Sequence, residues 1–356
     1  MKKLNVLFLS IFDGNHYKTL LVENLNNKNV QVEDYFPTVF FLPRVIKEGK
    51  PDILHLHTIH YFFLGKNQIN RTIKFFLFII QAFFLKLIGT KIVWTVHEWS
   101  DRFDDGKNDI YPVWAAILGK LFSAVITHCE TTKNEIVKAF RLENKNKVFV
   151  VPHGNYIGSY DNKVNQVEAR KYLDIPQENL VFLLFGNLHR TKGFLEAIDA
   201  FKGLDASKIS LLIVGNPAEE KIEELITDKI QDHKNILFIP RKVPDEEIQI
   251  YMNACDCVIV PYKVFTTSGV TLLTMSFGKA CIAPNLGFFS DVLNESGSFL
   301  YDSTHEDSLL QAMKQAIERR EQLLDMGKHN LQIAEQWSWE FVANKTLKIY
   351  QDCLNN

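Results

Sequence analysis

Short apolar runs rich in β-branched residues alternate with longer stretches of helical pattern along this chain, and the alternation is completed twice. A strand covered on both faces reads as a continuous apolar run, and neighbouring parallel strands need a long crossover, which a helix supplies. The pattern therefore predicts an α/β chain of parallel sheets with covering helices. In the first half the strand candidates are residues 4–10, 30–35, 53–57, 92–97, 124–128 and 148–152. In the second half they are residues 180–185, 210–214, 236–239, 257–261, 280–283 and 298–301. A chain of 356 residues is too long for one ordinary core and fits two domains of roughly 150–200 residues each.

The polar stretch from Gly154 to Gln166 reads as the connection between the two sets. It gives an N-terminal domain at residues 1–160 and a second domain at residues 161–335. In Trp337-Ser338-Trp339-Glu340, Ser338 has the side chain of a helix N-cap and Glu340 the charge favoured in a first turn. The helix this opens, within residues 336–356, is expected to fold back toward the N-terminal domain.

Composition narrows the function classes. With 46% hydrophobic and 23% charged residues, both halves are expected to be globular. A formal net charge of -2 supplies no field for nucleic acid, which is excluded as an expected partner. The five cysteines are odd in number and sit mostly in apolar runs, as buried free thiols do, which points to a reducing, cytoplasmic compartment. The opening Met-Lys-Lys-Leu-Asn-Val-Leu-Phe-Leu-Ser has too short an apolar stretch for a signal peptide and reads as the first buried strand. Phe75–Leu85 is an apolar run of 11 residues flanked by Arg71, Lys74 and Lys86. It is too short to cross a hydrocarbon layer that needs about 20 residues. Two readings stay open for it: a buried domain helix, or a helix in peripheral contact with the inner face of the cell membrane.

In open parallel sheets ligands bind beyond the carboxyl ends of the strands. After the first strand come Asp13, Gly14, Asn15 and His16; after the third, His57 and His60; after the fourth, His97 and Glu98. The second half offers Gly186, Asn187, Arg190, Lys192 and Gly193, then Arg241, then Thr266 through Thr271. Thr267, Ser268, Gly269, Val270 and Thr271 open a helical run, and small or hydroxyl residues there let backbone N–H groups and the helix dipole meet an anion. Arg190 and Lys192 are expected to reach the same point and to neutralise a departing diphosphate as a metal ion would elsewhere. His55 and His57 share a strand face, but no carboxylate or thiolate follows them closely, so cleft-lining or buried histidines are expected rather than a metal site. The Cys255-Asp256-Cys257 triplet is read as the start of a strand, not as a ligand pair. No Asp-x-Asp sequence appears, and no metal or other cofactor is expected. The absence of a Gly-x-Gly-x-x-Gly turn after the first strand of either half disfavours a redox dinucleotide enzyme.

At these residues the chain resembles glycosyltransferase family 4 and its relatives. The likeness is carried by Val243-Pro244-Asp245-Glu246-Glu247-Ile248, by Tyr251 to Asp256, by Pro261-Tyr262 and by Ser276 to Pro284. Gly186 to Gly193 resembles the family's donor-phosphate loop, Thr95 to Glu98 its N-domain histidine motif, and Val151-Pro152-His153-Gly154 its domain-junction motif. The resemblance implies two Rossmann-like domains of the GT-B type with an interdomain cleft. It also implies a nucleotide-sugar donor held by the second domain, an acceptor held by the first near Gly14, Asn15, His16, His57, His60 and His153, and His97 near the transferred sugar. One departure stands out. Where the family carries two glutamates eight positions apart, this chain has Phe265 and Leu273. A sugar hydroxyl must then find Thr267, Ser268 or Thr271 instead. The Thr-Ser-Gly donor loop is similar to that of bacterial exopolysaccharide and lipid-linked sugar transferases.

The expected reaction moves a hexose from a UDP- or GDP-sugar to a glycan or lipid-linked acceptor in surface polysaccharide biosynthesis. Such a transfer passes through an oxocarbenium-like state, and an inverting course needs a base, for which Asp13, His97 and Glu98 qualify by place. A non-hydrolysing nucleotide-sugar epimerase and a non-catalytic nucleotide-binding relative remain as alternatives. The acidic loop from Trp99 to Tyr111 reads either as an acceptor contact or as solvated surface.

Overall fold

The structure, a computed structural model, describes residues 3–11, 16–63, 65, 67–98, 110–142, 145–204, 207–231 and 233–355. The chain forms two compact units, one of Met1–Gly154 with Ser338–Asn356 and one of Asn155–Trp337. The first boundary therefore falls at the very start of the polar stretch, between Gly154 and Asn155. Asn155 is held by the second unit: its backbone N–H donates to the Trp337 carbonyl and its side-chain amide to the Ala334 carbonyl.

The first unit runs β1 (Leu4–Leu9), α1 (His16–Asn26), β2 (Val30–Tyr35), α2 (Leu42–Glu48), β3 (Ile53–Leu56) and α3 (Gln68–Leu87). It continues with β4 (Lys91–Thr95), α4 (Pro112–Leu121), β5 (Ala124–Thr127), α5 (Glu130–Ala139) and β6 (Val148–Val150). The second unit runs α6 (Gln166–Tyr172), β7 (Leu180–Phe185), α7 (Phe194–Lys202), β8 (Ile209–Val214), α8 (Ile222–Ile230), β9 (Ile236–Ile239) and α9 (Ile248–Ala254). It then adds β10 (Cys257–Ile259), α10 (Gly269–Ser276), β11 (Ala280–Pro284), α11 (Phe288–Val292), β12 (Ser298–Tyr301), α12 (Ser308–Glu318) and α13 (Leu323–Glu335). The last helix, α14 (Trp339–Asn355), belongs to the first unit.

Each unit holds a six-stranded sheet, in the orders β2-β1-β3-β4-β5-β6 and β12-β11-β10-β7-β8-β9, with these strands paired in parallel. These are the twelve apolar runs of the sequence, half of them trimmed by a residue or two at the carboxyl end. The trimmed residues, His57, His97 and His128 among them, stand just past the last ladder hydrogen bonds. In each sheet the chain reverses its winding direction once, between β1 and β3 and between β7 and β10, and a crevice at the carboxyl ends opens at that point.

Strand alternation divides the first unit's core. Leu7, Leu9, Leu54, Leu56, Ile92, Trp94 and Val125 face one layer with α3 and α4. Val6, Phe8, Ile53, Val93, Ala124 and Ile126 face the other, with α1 and α14. Trp339, Val342, Ala343, Ile349 and Tyr350 of α14 lie in that second layer, so residues from the end of the chain complete a core begun by its first strand. Ser338 caps α14, its hydroxyl accepting from the Phe341 N–H at 3.2 Å. All five cysteines are buried and unbridged.

α3 corrects the sequence reading of Phe75–Leu85. Asn67 caps it, accepting from the Asn70 N–H, and the helix is 20 residues long rather than 11. It is the one helix among the described residues long and apolar enough to cross a bilayer. However, Phe75, Phe78, Ala82 and Leu85 are packed in the first unit's core, with Phe75 stacked on Trp114 at 4.3 Å. Arg71 is no flanking surface charge: it is buried, with its guanidinium 5.1 Å from the Tyr111 ring centroid.

Candidate functional site

In the second unit the loops after β7 and β10, either side of the reversal point, meet through the backbone. Lys263 N–H donates to the Thr191 carbonyl at 2.9 Å. Gly193 makes this approach possible: its φ is +70°, and a Cβ there would sit 2.0 Å from the Pro261 carbonyl oxygen. Gly186, with φ +115°, turns the chain out of β7. Between these glycines Arg190–Lys192 forms a short 3₁₀ turn, capped by His189, whose Nδ1 accepts from the Thr191 N–H.

The turn sends its two cations in different directions. Lys192 Nζ lies 3.7 Å from the centroid of Tyr262, over the ring face, at the mouth of the loop that opens α10. Arg190 Nε lies 2.8 Å from Glu219 Oε1, and the Arg190 N–H donates to Oε2 of the same carboxylate. Arg190 thus clasps the loop after β8 instead of joining Lys192 as the sequence suggests. Arg241 is likewise engaged elsewhere, forming an ion pair with Glu247 and donating to the Tyr251 hydroxyl at 2.9 Å.

Ser268 is the N-cap of α10. Its Oγ accepts from the Thr271 N–H at 3.2 Å and from the Thr271 hydroxyl at 2.9 Å, and its carbonyl accepts from the Leu272 N–H. Both side chains are engaged in the cap, whereas the sequence reading offers them to a sugar hydroxyl. Helix geometry leaves the amides of Gly269 and Val270 aimed out of the N-terminus, where they and the dipole favour an anion. The Thr267 hydroxyl is buried and, among the described residues, has no hydrogen-bond partner.

A pocket of about 350 Å³ lies here, walled on one side by Gly186, Asn187 and Lys192 and on the other by Thr267 through Val270. Its remaining wall is aromatic and apolar: Tyr156, Tyr160, Phe185, Ile248 and Tyr262, with Leu273 at its base. The Tyr156 N–H is fixed on Ser276 Oγ at 2.9 Å. Burial pushes the Tyr156 phenol upward, and burial with nearby Asp245 pushes Tyr160 up to about 12. Both wall tyrosines therefore stay neutral. Phe265 packs on Phe289 at 4.5 Å between ring centroids. A pocket with one cation, two outward amides and an aromatic wall offers a phosphate end and a flat apolar end.

The first unit has a second cluster, made wholly of uncharged rings. His57, His97, His128 and His153 each follow a different parallel strand, so the sheet brings them side by side. His57 Nδ1 is 3.2 Å from His97 Nε2, and the His97 and His153 rings lie 5.4 and 5.5 Å from that of His128. Tyr17 of α1 stands against all four, 6.0 Å from His57, 4.7 Å from His97, 5.4 Å from His128 and 4.9 Å from His153. Carbonyls fix two of the rings: His128 Nδ1 contacts the Val151 oxygen at 2.9 Å and His153 Nδ1 the Gly154 oxygen at 2.7 Å. Behind them His55 contacts Thr95 Oγ1 and the Tyr350 hydroxyl.

Burial, and then repulsion between neighbouring imidazoles, lowers the pKa of His55 to about 3 and that of His153 to about 3, with His57 and His97 also well below the usual value. Burial lowers His128 to about 4. At neutral pH all five are uncharged. Among the described residues no three His, Cys, Asp or Glu side chains are placed to hold a metal ion.

His16 opens α1, Glu98 is exposed beside His97, and His60 is buried in a 3₁₀ turn against Phe63, outside the ring cluster. Asp13, Gly14 and Asn15 lie outside the described residues, as do residues 99–109 of the acidic loop. His128 and Tyr17 are members that the local sequence does not announce. Their available signal was weak: His128 too follows an apolar run.

Comparison with known proteins agrees with this division. The family model described as Glycosyltransferase Family 4 matches residues 19–155, and that described as Glycosyl transferases group 1 matches residues 165–332. A GDP-mannose:glycolipid 4-beta-D-mannosyltransferase of Xanthomonas campestris pv. campestris is 23% identical over 299 residues, covering 82% of this chain and 79% of that one. A lipopolysaccharide 1,2-N-acetylglucosaminetransferase of Salmonella typhimurium is 27% identical over 230 residues, covering 60% of this chain and 59% of that one. Among solved structures, Anabaena HepE in complex with UDP and glucose superposes with a TM-score of 0.74 at 16% identity, covering 97% of this chain and 98% of that one. That likeness is one of fold, the two-domain GT-B arrangement. With one model on each half, the chain belongs to the glycosyltransferases that join a family 4 domain to a group 1 domain.

Proposed function

We propose that this glycosyltransferase moves a hexose from a UDP- or GDP-sugar to a glycan or lipid-linked acceptor in surface polysaccharide biosynthesis, without a metal ion. It would do so in the cytoplasm at the inner face of the cell membrane. The observation that carries the donor assignment is that Lys192 and the Ser268-capped start of α10 line one pocket at the reversal point of the second sheet. A diphosphate seated there would take the Lys192 ammonium and the amides of Gly269 and Val270, which hold the charge that grows as the sugar leaves. The nucleobase would lie along Tyr156, Tyr160 and Ile248. Two relatives support the acceptor class by their names, one acting on a glycolipid and one on lipopolysaccharide.

On this reading the histidine ring serves the acceptor. If His97 donates its Nε2–H to His57 Nδ1, its own Nδ1 is the nitrogen with the lone pair and would orient an acceptor hydroxyl by accepting its hydrogen bond. With Leu273 and Phe265 where the resemblance implies carboxylates, the Thr267 hydroxyl would be one of the pocket's polar groups that read the sugar.

The test is a panel of radiolabelled UDP- and GDP-hexoses incubated with the protein, with and without a lipid-linked oligosaccharide fraction and with a metal chelator throughout. Label passing to the lipid fraction from one nucleotide class supports the reading. Isomerised donor without acceptor would identify an epimerase, and tight donor binding with no turnover a non-catalytic relative.

A further inference from the structure

α3 is apolar on both of its faces, yet only one is covered. Ile69, Ile73, Phe76, Ile80, Phe83 and Leu87 recur at intervals of three and four residues and are all exposed, Ile69 and Leu87 at 70% and Ile80 at 63%. A helix apolar all round normally belongs in a core or in lipid, and an uncovered stripe of this length marks an interaction surface. The stripe widens at one flank, because Gln81 fixes the chain before α2 through Leu42 N–H and the Val39 carbonyl, placing exposed Phe40 beside the helix. At the other flank Phe75 holds Trp114, next to exposed Val113.

The charge around this stripe is predominantly positive. From Ile53 to His97 the sequence has no aspartate or glutamate, while it carries Lys66, Lys74, Lys86 and Lys91 besides the buried Arg71. α4 adds Lys120 and no acid, and α2 adds Arg44 and Lys47 against one acid, Glu48. Lys86 is fixed at the rim, donating to the carbonyls of Lys120 and Leu121 at the end of α4. A protein partner would need acids to match the cations and an apolar groove to match the stripe. An anionic bilayer supplies both across its whole surface.

We infer that the outer face of α3 lies in the headgroup boundary of an anionic lipid bilayer, with Phe76, Ile80 and Phe83 dipping among the acyl chains and the lysines meeting lipid phosphates. This deepens the membrane-facing part of the proposed function. It stands on residues apart from the nucleotide pocket, and vesicle binding does not require nucleotide, so either can fail alone.

The experiment is flotation of the full chain with vesicles of phosphatidylcholine, or of phosphatidylcholine mixed with phosphatidylglycerol, alongside sedimentation without lipid. Wild type is expected to float with the mixed vesicles, less with phosphatidylcholine alone, and less as salt rises. The double variant Phe76→Glu/Ile80→Glu should lose at least about tenfold in vesicle affinity. The milder Phe76→Ser/Ile80→Ser should also lose, and both should keep the wild-type melting temperature and nucleotide affinity. Wild type that stays with the soluble fraction beside phosphatidylglycerol, or variants that float equally well, would overturn the inference. A wild-type dimer that the variants convert to monomer would overturn it too, by showing a second copy on the stripe.

Discussion

The Tyr350 hydroxyl lies 2.5 Å from His55 Nδ1, joining residues 295 positions apart in the sequence. His55 is a neutral ring inside a sheet core, so it has one N–H to donate and one nitrogen that must accept, and Thr95 Oγ1 and Tyr350 satisfy the two. Removing the phenol strands one of them. Tyr350→Phe is expected to cost about 1–3 kcal/mol, the penalty for an unpaired buried polar atom. Urea unfolding of the variant reads this directly; an unchanged midpoint would mean that α14 packs by its apolar residues alone.

The histidine ring gives the first unit an acid-side instability. In the unfolded chain each imidazole binds a proton near pH 6.5. In the fold the values fall to about 3 for His55 and His153 and about 4 for His128, so over that interval the unfolded state holds more protons. Stability is therefore full above about pH 7 and falls as pH drops through 6.5, by on the order of 1 kcal/mol per pH unit for each such histidine. Melting temperatures at pH 7.5, 6.5 and 5.5 should decline in that order. Equal melting at the three would show that the rings gain protons without penalty.

Gly193 holds the two donor loops together. In Gly193→Ala the left-handed φ alone costs about 1–3 kcal/mol. The added methyl also meets the Pro261 oxygen, so the loops must part. The variant should lose nucleotide binding in calorimetry while the far-ultraviolet spectrum keeps its wild-type shape. Full affinity would place the nucleotide elsewhere.

Arg190 and Lys192 should not be equivalent. With Lys192 over Tyr262 in the pocket and Arg190 tied to Glu219, Lys192→Ala is expected to lower sugar transfer by about 100-fold or more, the loss seen when a charge-stabilising group is removed. Arg190→Ala should lose less than about tenfold in rate, because its partner is a surface carboxylate of small energetic weight. A larger loss at Arg190 would mean that it leaves Glu219 when substrate binds.

The sheets were legible because a strand covered on both faces must be apolar throughout, and the runs at Leu180 and Ile209 can be read as nothing else. The glycines of the donor loop were legible through the loop's resemblance to the family pattern, while the close approach that requires Gly193 shows only in the fold. The histidine ring was not. His57, His97, His128 and His153 are far apart in sequence and meet only through parallel register, whereas the sequence invites grouping His60 with His57. Glu219, 29 residues from Arg190, escapes local reading in the same way. The outer stripe of α3 was half visible, since Asn70, Arg71 and Thr72 break the apolar run and hide Ile69 and Ile73 from it.

On the proposed function, the pocket between the Gly186–Gly193 loop and the start of α10 binds a nucleoside diphosphate through Lys192. Titration calorimetry of UDP and GDP into wild type and Lys192→Ala tests it most directly. One nucleotide is expected to bind wild type, with its affinity falling by at least about tenfold in Lys192→Ala. Binding of equal strength in the two proteins, or of neither nucleotide to wild type, would contradict it.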